Sequence, residues 1–99
     1  MKTTKYQRGY GLGNYRGLRF AVLTMLGGKC ARCPQRNLRV LQVDHVKEDG
    51  KRHRDQLKTK GGITLMTAVL QEIAKGHSAR FQVLCANCHM IKSQERYAA

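Results

Sequence analysis

The stretch FQVLCANCHMIK, residues 81–92, joins a short apolar run to two cysteines, and the rest of the chain is organised around it. Its cysteines, Cys85 and Cys88, are spaced as CxxC, and an identically spaced pair, Cys30 and Cys33, lies far upstream. A CxxC turn directs both sulfurs at one point, and two such turns supply the four thiolates that suit tetrahedral Zn²⁺. The chain has 4 cysteines in all, so none is left over. We therefore predict a structural zinc site with four cysteine ligands.

Two disulfides are the alternative to a metal site for these cysteines. Disulfide frameworks belong to secreted and other oxidised proteins, whereas paired CxxC turns are typical of metal sites. The sequence shows no recognisable signal peptide, so we expect reduced cysteines and a zinc ion.

The composition indicates the class of partner. Lysine and arginine number 19 against 6 aspartates and glutamates, which gives a formal net charge of +13 and a pI of about 10.2. So basic a chain favours a polyanion, and nucleic acid is the expected partner, with a membrane surface as the lesser alternative. No stretch reaches the ~18 apolar residues of a spanning helix. The absence of tryptophan and the 6% aromatic content disfavour a base-stacking surface for single strands.

The length fits one small domain, in the size range where a metal often supplies missing stability. Residues 1–17 combine four basic residues with four glycines and three tyrosines, and they have too little aliphatic content for a core of their own. We expect a basic, flexible N-terminal arm there, and both a phosphate-contacting arm and a solvated tail fit it. The folded domain is expected to span residues 18–99.

Hydrophobic patterning predicts one helix and two strands near the CxxC turns. The apolar run 18–26 is compatible with helix or strand, and the Gly27-Gly28 pair that follows it favours a short helix. Residues 38–46 and 80–86 have the composition of strands. Zinc could hold these two strands antiparallel.

The rest of the chain predicts two further helices and one loop. Residues 63–75 have helical spacing, with Thr64 as the candidate N-cap and Gly76 beyond the end. A last helix is predicted at residues 88–97. The strongly charged segment 47–62 predicts a polar loop.

Three residues near these elements form a candidate site. Asp44 and His45 close the first strand, and His89 directly follows the second CxxC turn. Strand alternation sends Asp44 and His45 to opposite faces unless a turn or bulge begins there. Either residue alone is more often a surface or structural group. The pair gains significance because His89, at the start of a helix, could face it.

This order of features resembles the HNH nucleases that carry a zinc ribbon. The shared features are a CxxC turn, an apolar strand ending in Asp-His, a basic insertion, and FQVLCANCH leading into a helix. The resemblance covers residues 18–92 apart from the insertion, and it leaves the N-terminal arm uncovered. It implies an α+β fold with a small ββα-metal (His-Me finger) core and a four-cysteine zinc ribbon. An N-terminal helix and a helix inside an insertion at residues 47–79 would be added to that core.

The resemblance also implies that Asp44 and His89 hold a catalytic divalent ion and that His45 is the general base. Phosphodiester hydrolysis needs an activated water, a neutralised phosphate and a stabilised 3′-oxygen. A histidine with a pKa near ~6.5 can supply the first, and a divalent ion can supply the other two. Mg²⁺, Mn²⁺, Ni²⁺ or Zn²⁺ suits such a mixed site.

The chain departs from the family at the middle position of the motif. The family's asparagine, five residues before the third cysteine, is Arg80 here. The backbone around Arg80, or else His53 or His77, could orient His45, and Arg80 could contact phosphate. Each of the two histidines is otherwise better explained as a surface residue. The basic residues expected at DNA are Lys47, Lys51, Arg52, Arg54, Arg80, Lys92 and Arg96.

The resemblance therefore predicts a metal-dependent endonuclease of phage or mobile-element type that nicks or cuts double-stranded DNA and leaves a 5′-phosphate. The expected setting is the cytoplasm of a bacterial host, as monomer or homodimer without a membrane, and phage DNA-packaging proteins are candidate partners. A branched-DNA (Holliday junction) resolving nuclease is one alternative. The other is a non-catalytic zinc-ribbon nucleic-acid-binding protein, which would have no need of Asp44, His45 and His89.

Overall fold

The computed structural model describes residues 14–59 and 62–98, with side chains described as far as residue 95. Its elements in chain order are α1 (Tyr15–Met25), β1 (Leu41–His45), α2 (Gly50–Gln56), α3 (Gly62–Ala74), a 3-10 turn (Ser78–Arg80), β2 (Phe81–Cys85) and α4 (Ala86–Ala98). Within the described residues, four α-helices accompany one two-stranded antiparallel sheet. The predicted α+β class is confirmed.

The pairing of the two strands places the candidate site residues at one end of the sheet. Leu41 lies opposite Cys85, Asp44 opposite Gln82, and His45 opposite Phe81. The end of β1 is therefore beside the start of β2. Both predicted strands and their antiparallel order are confirmed, although each strand is shorter than predicted because turns precede it. The last helix, α4, follows β2 without a loop and contacts both strands.

The apolar run that was compatible with helix or strand is helical. α1 begins at Tyr15, inside the segment predicted as an arm, because Oδ1 of Asn14 caps it by accepting a hydrogen bond from the Gly17 amide at 3.0 Å. Residues 1–13 of the predicted arm lie outside the described residues. Gly27 and Gly28 end the helix with φ of +113° and +65°, as predicted from their pairing.

One face of α1 connects two parts of the core. Leu23 packs near the CxxC turns, and Leu18 and Val22 pack against α3. The first part contains Leu23, Cys30, Leu41, Val83, Leu84 and Cys85, and the second contains Leu18, Val22, Met66, Val69 and Phe81. The sheet thus has α1 and α3 to support it, which fixes the end of β1. No helix within residues 14–59 and 62–98 is both long and apolar enough to cross a membrane.

The structure corrects the sequence-based prediction in the charged segment between the strands. The predicted polar loop contains α2, Gly50–Gln56, so that prediction is wrong over these residues. Lysine, arginine and glutamine are good helix formers, and α2 lacks only an apolar stripe to indicate it. The following helix, α3, begins at Gly62, so the prediction of Thr64 as its N-cap is also wrong. Gly76, with φ of +88°, lies beyond its end as predicted.

Candidate metal centre and active site

The four cysteines come together, as their spacing predicts. One ligand atom from each lies within 4.8 Å of the others, and Sγ of Cys33 is 3.6 Å from Sγ of Cys85. All four are free thiols in the structure. Sulfurs at ~2.3 Å from a tetrahedral Zn²⁺ are separated by roughly 3.8 Å, so this set is compatible with a structural metal such as zinc. Among the described residues, this is the group of three or more side chains that could hold a metal ion.

The backbone around the thiols favours negative charge on them. The amide of Arg32 donates to Sγ of Cys30, and the amide of Cys88 donates to Sγ of Cys85, each at 3.5 Å. Burial raises the pKa of Cys30, but hydrogen bonds outweigh burial and lower the pKa to about 6. Hydrogen bonding with Cys85, together with burial, raises the pKa of Cys88 to about 12. Four thiolates so close together need a cation, which is what the donor set offers to Zn²⁺.

Asp44 and His89 meet at the end of the sheet. Nε2 of His89, in the first turn of α4, lies 3.4 Å from Oδ1 of Asp44. The other carboxylate oxygen, Oδ2, accepts a hydrogen bond from Nε2 of Gln82 at 2.9 Å, across the strand pair. The Asp44 side chain is 8% exposed and the His89 side chain 41% exposed. A fixed carboxylate oxygen and an accessible imidazole nitrogen therefore face one another at the surface.

Lys92 lies in the interior, against Asp44. Its Nζ donates to Oδ2 of Asp44 at 2.6 Å and to the carbonyl oxygen of His45 at 2.8 Å. The two side chains are 11% and 8% exposed, so this is a largely buried ion pair. Lys92 was expected to contact DNA, but its ammonium group is occupied here by the end of β1. It holds the Asp44 carboxylate so that Oδ1 is directed toward His89.

His45 is buried and contacts a second buried histidine. Its Nε2 lies 3.0 Å from Nδ1 of His53, and its ring meets the Phe81 ring edge to face at 5.1 Å between centroids. Burial lowers the pKa of both histidines below the usual value, which favours their neutral imidazole forms. In the tautomer in which His45 donates from Nε2, the lone pair of its ring lies on Nδ1.

A glycine lies beside the second ring nitrogen of His45. A Cβ atom added to Gly50 would lie 3.1 Å from Nδ1 of His45 and 3.3 Å from Nη1 of Arg54. The three groups line one cavity of about 420 Å³ together with Asp44 and His89. β1 ends at His45 and a turn follows at once, with the Glu48 amide donating to the His45 carbonyl at 2.9 Å. Both Asp44 and His45 therefore reach the same cavity.

Arg80, at the position of the missing asparagine, holds a different part of the site. Its guanidinium donates to Oδ2 of Asp49 at 3.1 Å and lies 5.6 Å from the centre of the Phe81 ring. Partial burial raises the pKa of Asp49, but the positive charges of Arg80 and His45 and the hydrogen bond from Arg80 together outweigh burial, so the net pKa shift is downward. Oδ1 of Asp49 is buried with no hydrogen-bond partner among the described residues. Arg80 thus fixes the residue that precedes α2, the helix that carries His53.

The other basic residues expected at DNA have varied surroundings. Lys47, Lys51 and Arg52 are exposed, and Nζ of Lys51 lies 2.9 Å from the Asp55 carboxylate. Arg54 is half-buried and lines the cavity. Arg96 lies in α4, beyond the described side chains. Lys51 also lines this cavity, so the structure places both Lys51 and Arg54 beside Asp44, His45 and His89.

The sequence reasoning misplaced His53. It was expected at the surface and is 5% exposed, so that expectation is wrong, whereas His77 is exposed and pairs with Glu72 at 2.8 Å as a surface residue. The sequence could have indicated that His53 is buried only if α2 had been recognised as a helix. Leu57, the residue after that helix, lies one turn beyond His53, and its amide donates to the His53 carbonyl at 3.1 Å.

Comparisons with protein-family models, with curated proteins and with solved structures found no match to this chain.

Proposed function

We propose that this protein is a metal-dependent DNA endonuclease with a structural zinc ion at its four cysteines. The observation that carries the proposal is the meeting of Oδ1 of Asp44 and Nε2 of His89, 3.4 Å apart, at a cavity that His45 also lines. Carboxylate oxygen and imidazole nitrogen are ligands for Mg²⁺, Mn²⁺, Ni²⁺ or Zn²⁺, with positions left for water and phosphate. Two antiparallel strands followed directly by a helix suit the ββα-metal core that the HNH resemblance implies.

The divalent ion would neutralise the scissile phosphate and the leaving 3′-oxygen. Asp44 is prepared for it because Lys92 and Gln82 bind Oδ2 and leave Oδ1 directed toward His89. The two hydrogen bonds fix the carboxylate before any ligand arrives, which reduces the cost of ordering the site. Because of these contacts, a carboxylate that is largely buried at the end of a strand still offers one oxygen to a ligand in the cavity.

His45 would take the proton from the attacking water. Burial keeps its imidazole neutral, as a general base at neutral pH must be. In the tautomer in which Nε2 of His45 donates to Nδ1 of His53, Nδ1 of His45 is the nitrogen that accepts the proton. Gly50 leaves room beside Nδ1, where a side chain would crowd it. His53 would thus replace the missing asparagine as the group that orients the base.

The role of His53 predicts a difference between two substitutions. A glutamine can accept a hydrogen bond from Nε2 of His45, whereas a leucine fills the same space without an acceptor. We expect His53→Leu to lower kcat by about 10–100-fold with little change in KM, and His53→Gln to retain most of the activity. Steady-state kinetics on a nicking substrate would measure both. Equal kcat values for the leucine and glutamine variants would mean that His53 only fills space.

Plasmid cleavage tests the proposed function. The protein, freed of added divalent ions by dialysis, is expected to leave supercoiled plasmid intact and to nick or linearise it after Mg²⁺, Mn²⁺, Ni²⁺ or Zn²⁺ is added. DNA ligase should reseal the nicks, because hydrolysis at the 3′-oxygen leaves a 5′-phosphate and a 3′-hydroxyl. A folded protein that binds the plasmid but leaves it uncut with every one of these ions would be a binding module instead.

A further inference from the structure

On the side of α1, a row of two further cavities extends the candidate catalytic cavity. The second, of about 390 Å³, shares Val43, Arg54, Leu65 and Met66 with the first. The third, of about 360 Å³, shares Arg19 with the second. Consecutive cavities with common walls form one groove, which starts at the candidate active site and ends beside the first turns of α1.

The groove is lined by arginines. Arg54 separates the first and second cavities, Arg19 separates the second and third, and Arg16 and Arg39 line the third. No acidic residue lines the second or the third cavity. A concave surface lined by one sign of charge strengthens the potential inside it, and here it attracts anions. We refer to this feature, defined by Arg16, Arg19, Arg39 and Arg54, as the arginine groove.

Among the described residues, the arginines of the groove form no ion pair. The chain has 6 acidic residues, and all of them lie among the described residues. The ion pairs in that part of the chain join Arg32, Lys51, His77, Arg80, His89 and Lys92 to carboxylates, and none includes an arginine of the groove. Within the part of the chain that the structure describes, the four guanidinium groups along this concavity thus have no carboxylate within ion-pair distance.

Two local features separate this arrangement from a solvated charged surface. Arg19 is fixed by hydrogen bonds to the carbonyl oxygens of Leu38 and Leu41, which hold its charge at the groove without neutralising it. Arg16 lies in the first turn of α1, where the helix dipole disfavours a cation, so helix stability does not account for it. The helix therefore gains nothing from the charge of Arg16, while Arg19 is held with its charge at the groove.

We propose that the arginine groove binds the phosphate backbone of double-stranded DNA on one side of the cleaved bond. This inference rests on the proposed function for its choice of DNA, because the groove leads away from the cavity where the scissile phosphate would lie. The guanidinium groups contact successive phosphates, and Arg54 binds the phosphate nearest the reacting one. The groove thus sets the direction in which DNA leaves the active site, and it does so without reading sequence.

The test compares two variants that lose the same charge. Arg16→Gln with Arg39→Gln removes two cations of the groove, while Arg36→Gln with Lys75→Gln removes two exposed cations that line none of these cavities. Arg19 is left intact because it also holds the backbone. Binding of a fluorescein-labelled duplex of about 20 base pairs is followed by anisotropy, without added divalent ions, at about 50–200 mM KCl. Circular dichroism and thermal unfolding verify that both variants are folded.

We expect the groove variant to bind at least about tenfold more weakly than the control variant. We also expect the slope of log K against log salt to fall in magnitude by about 1.8, since each lost phosphate contact contributes about 0.9. Equal losses of affinity in the two variants would show that DNA is attracted only by the net charge, and the groove proposal would be wrong. Failure of the wild-type protein to bind the duplex would overturn it as well.

Cleavage assays on the same variants separate this inference from the proposed function. If the protein binds DNA through the groove but never cuts it, the groove proposal stands and the nuclease proposal is wrong. If the protein cuts DNA but the groove variant binds as tightly as the control variant, the nuclease proposal stands and the groove proposal is wrong.

Discussion

Replacing Cys85 with serine is expected to release the zinc ion and unfold the domain. The apparent free energy of binding of a structural zinc ion is about 10–16 kcal/mol, which equals or exceeds the about 5–15 kcal/mol net stability of a typical domain. Cys85 is 6% exposed and ends β2, so with the proposed zinc ion its thiolate would tie the strand pair to the first CxxC turn. Metal analysis should give one zinc per wild-type chain and none for Cys85→Ser. Circular dichroism should show loss of structure in the variant.

Val83→Ala is the matched control for this substitution. Val83 is 2% exposed on the same strand and belongs to the same part of the core, but it offers no ligand. We expect it to cost about 1–3 kcal/mol of unfolding free energy and to leave the zinc content unchanged. A zinc-free Cys85→Ser protein with the unfolding midpoint of wild type would show that the cluster has no structural metal.

Asp44→Asn is expected to abolish cleavage and to destabilise the fold at the same time. Asparagine keeps the shape of the side chain but loses the negative charge that a divalent ion requires, so activity should fall at least about a thousandfold. The buried ammonium of Lys92 would lose its counter-charge, at a cost of about 3–5 kcal/mol. Chemical denaturation and a nicking assay would measure the two effects on one preparation.

The double variant Asp44→Asn with Lys92→Met separates stability from catalysis. Methionine removes the unpaired charge and fills similar space, so most of the lost unfolding free energy should return. Cleavage should remain absent, because the carboxylate ligand is still missing. Cleavage that returned together with stability would mean that Asp44 acts only through the fold. The account of Asp44 as a metal ligand would then be wrong.

The parts of the fold that the sequence predicted are those with a strong local or covalent signal. Four cysteines in two CxxC turns can converge in few ways, and the structure brings them together. The strands at 41–45 and 81–85 have β-branched and apolar content that indicates them directly. The two consecutive glycines after α1 marked its end, since both adopt the positive φ that other residues avoid.

The parts that escaped prediction depend on contacts between distant residues. α2 has the sequence GKRHRDQ, whose charged side chains give no apolar periodicity, and its inward residue is a histidine. His53 is buried because it contacts His45 and Phe81, and both lie outside the local sequence of α2. Lysine is usually a surface residue, and Lys92 lies inside because its ammonium pairs with the buried carboxylate of Asp44 at the end of β1. The sequence thus predicted which types of side chain form the site, but it did not predict the residues that hold them in place.

The most direct test of the nuclease assignment is single-turnover plasmid nicking by His45→Ala, with His77→Ala as the matched control. His77 is exposed and lies outside the cavity, so its substitution should leave the rate of nicking unchanged. Loss of the general base should slow nicking by about 10²–10⁴-fold in a His45→Ala protein that remains folded and binds DNA as wild type does. A folded His45→Ala protein that nicks at the wild-type rate would contradict the account.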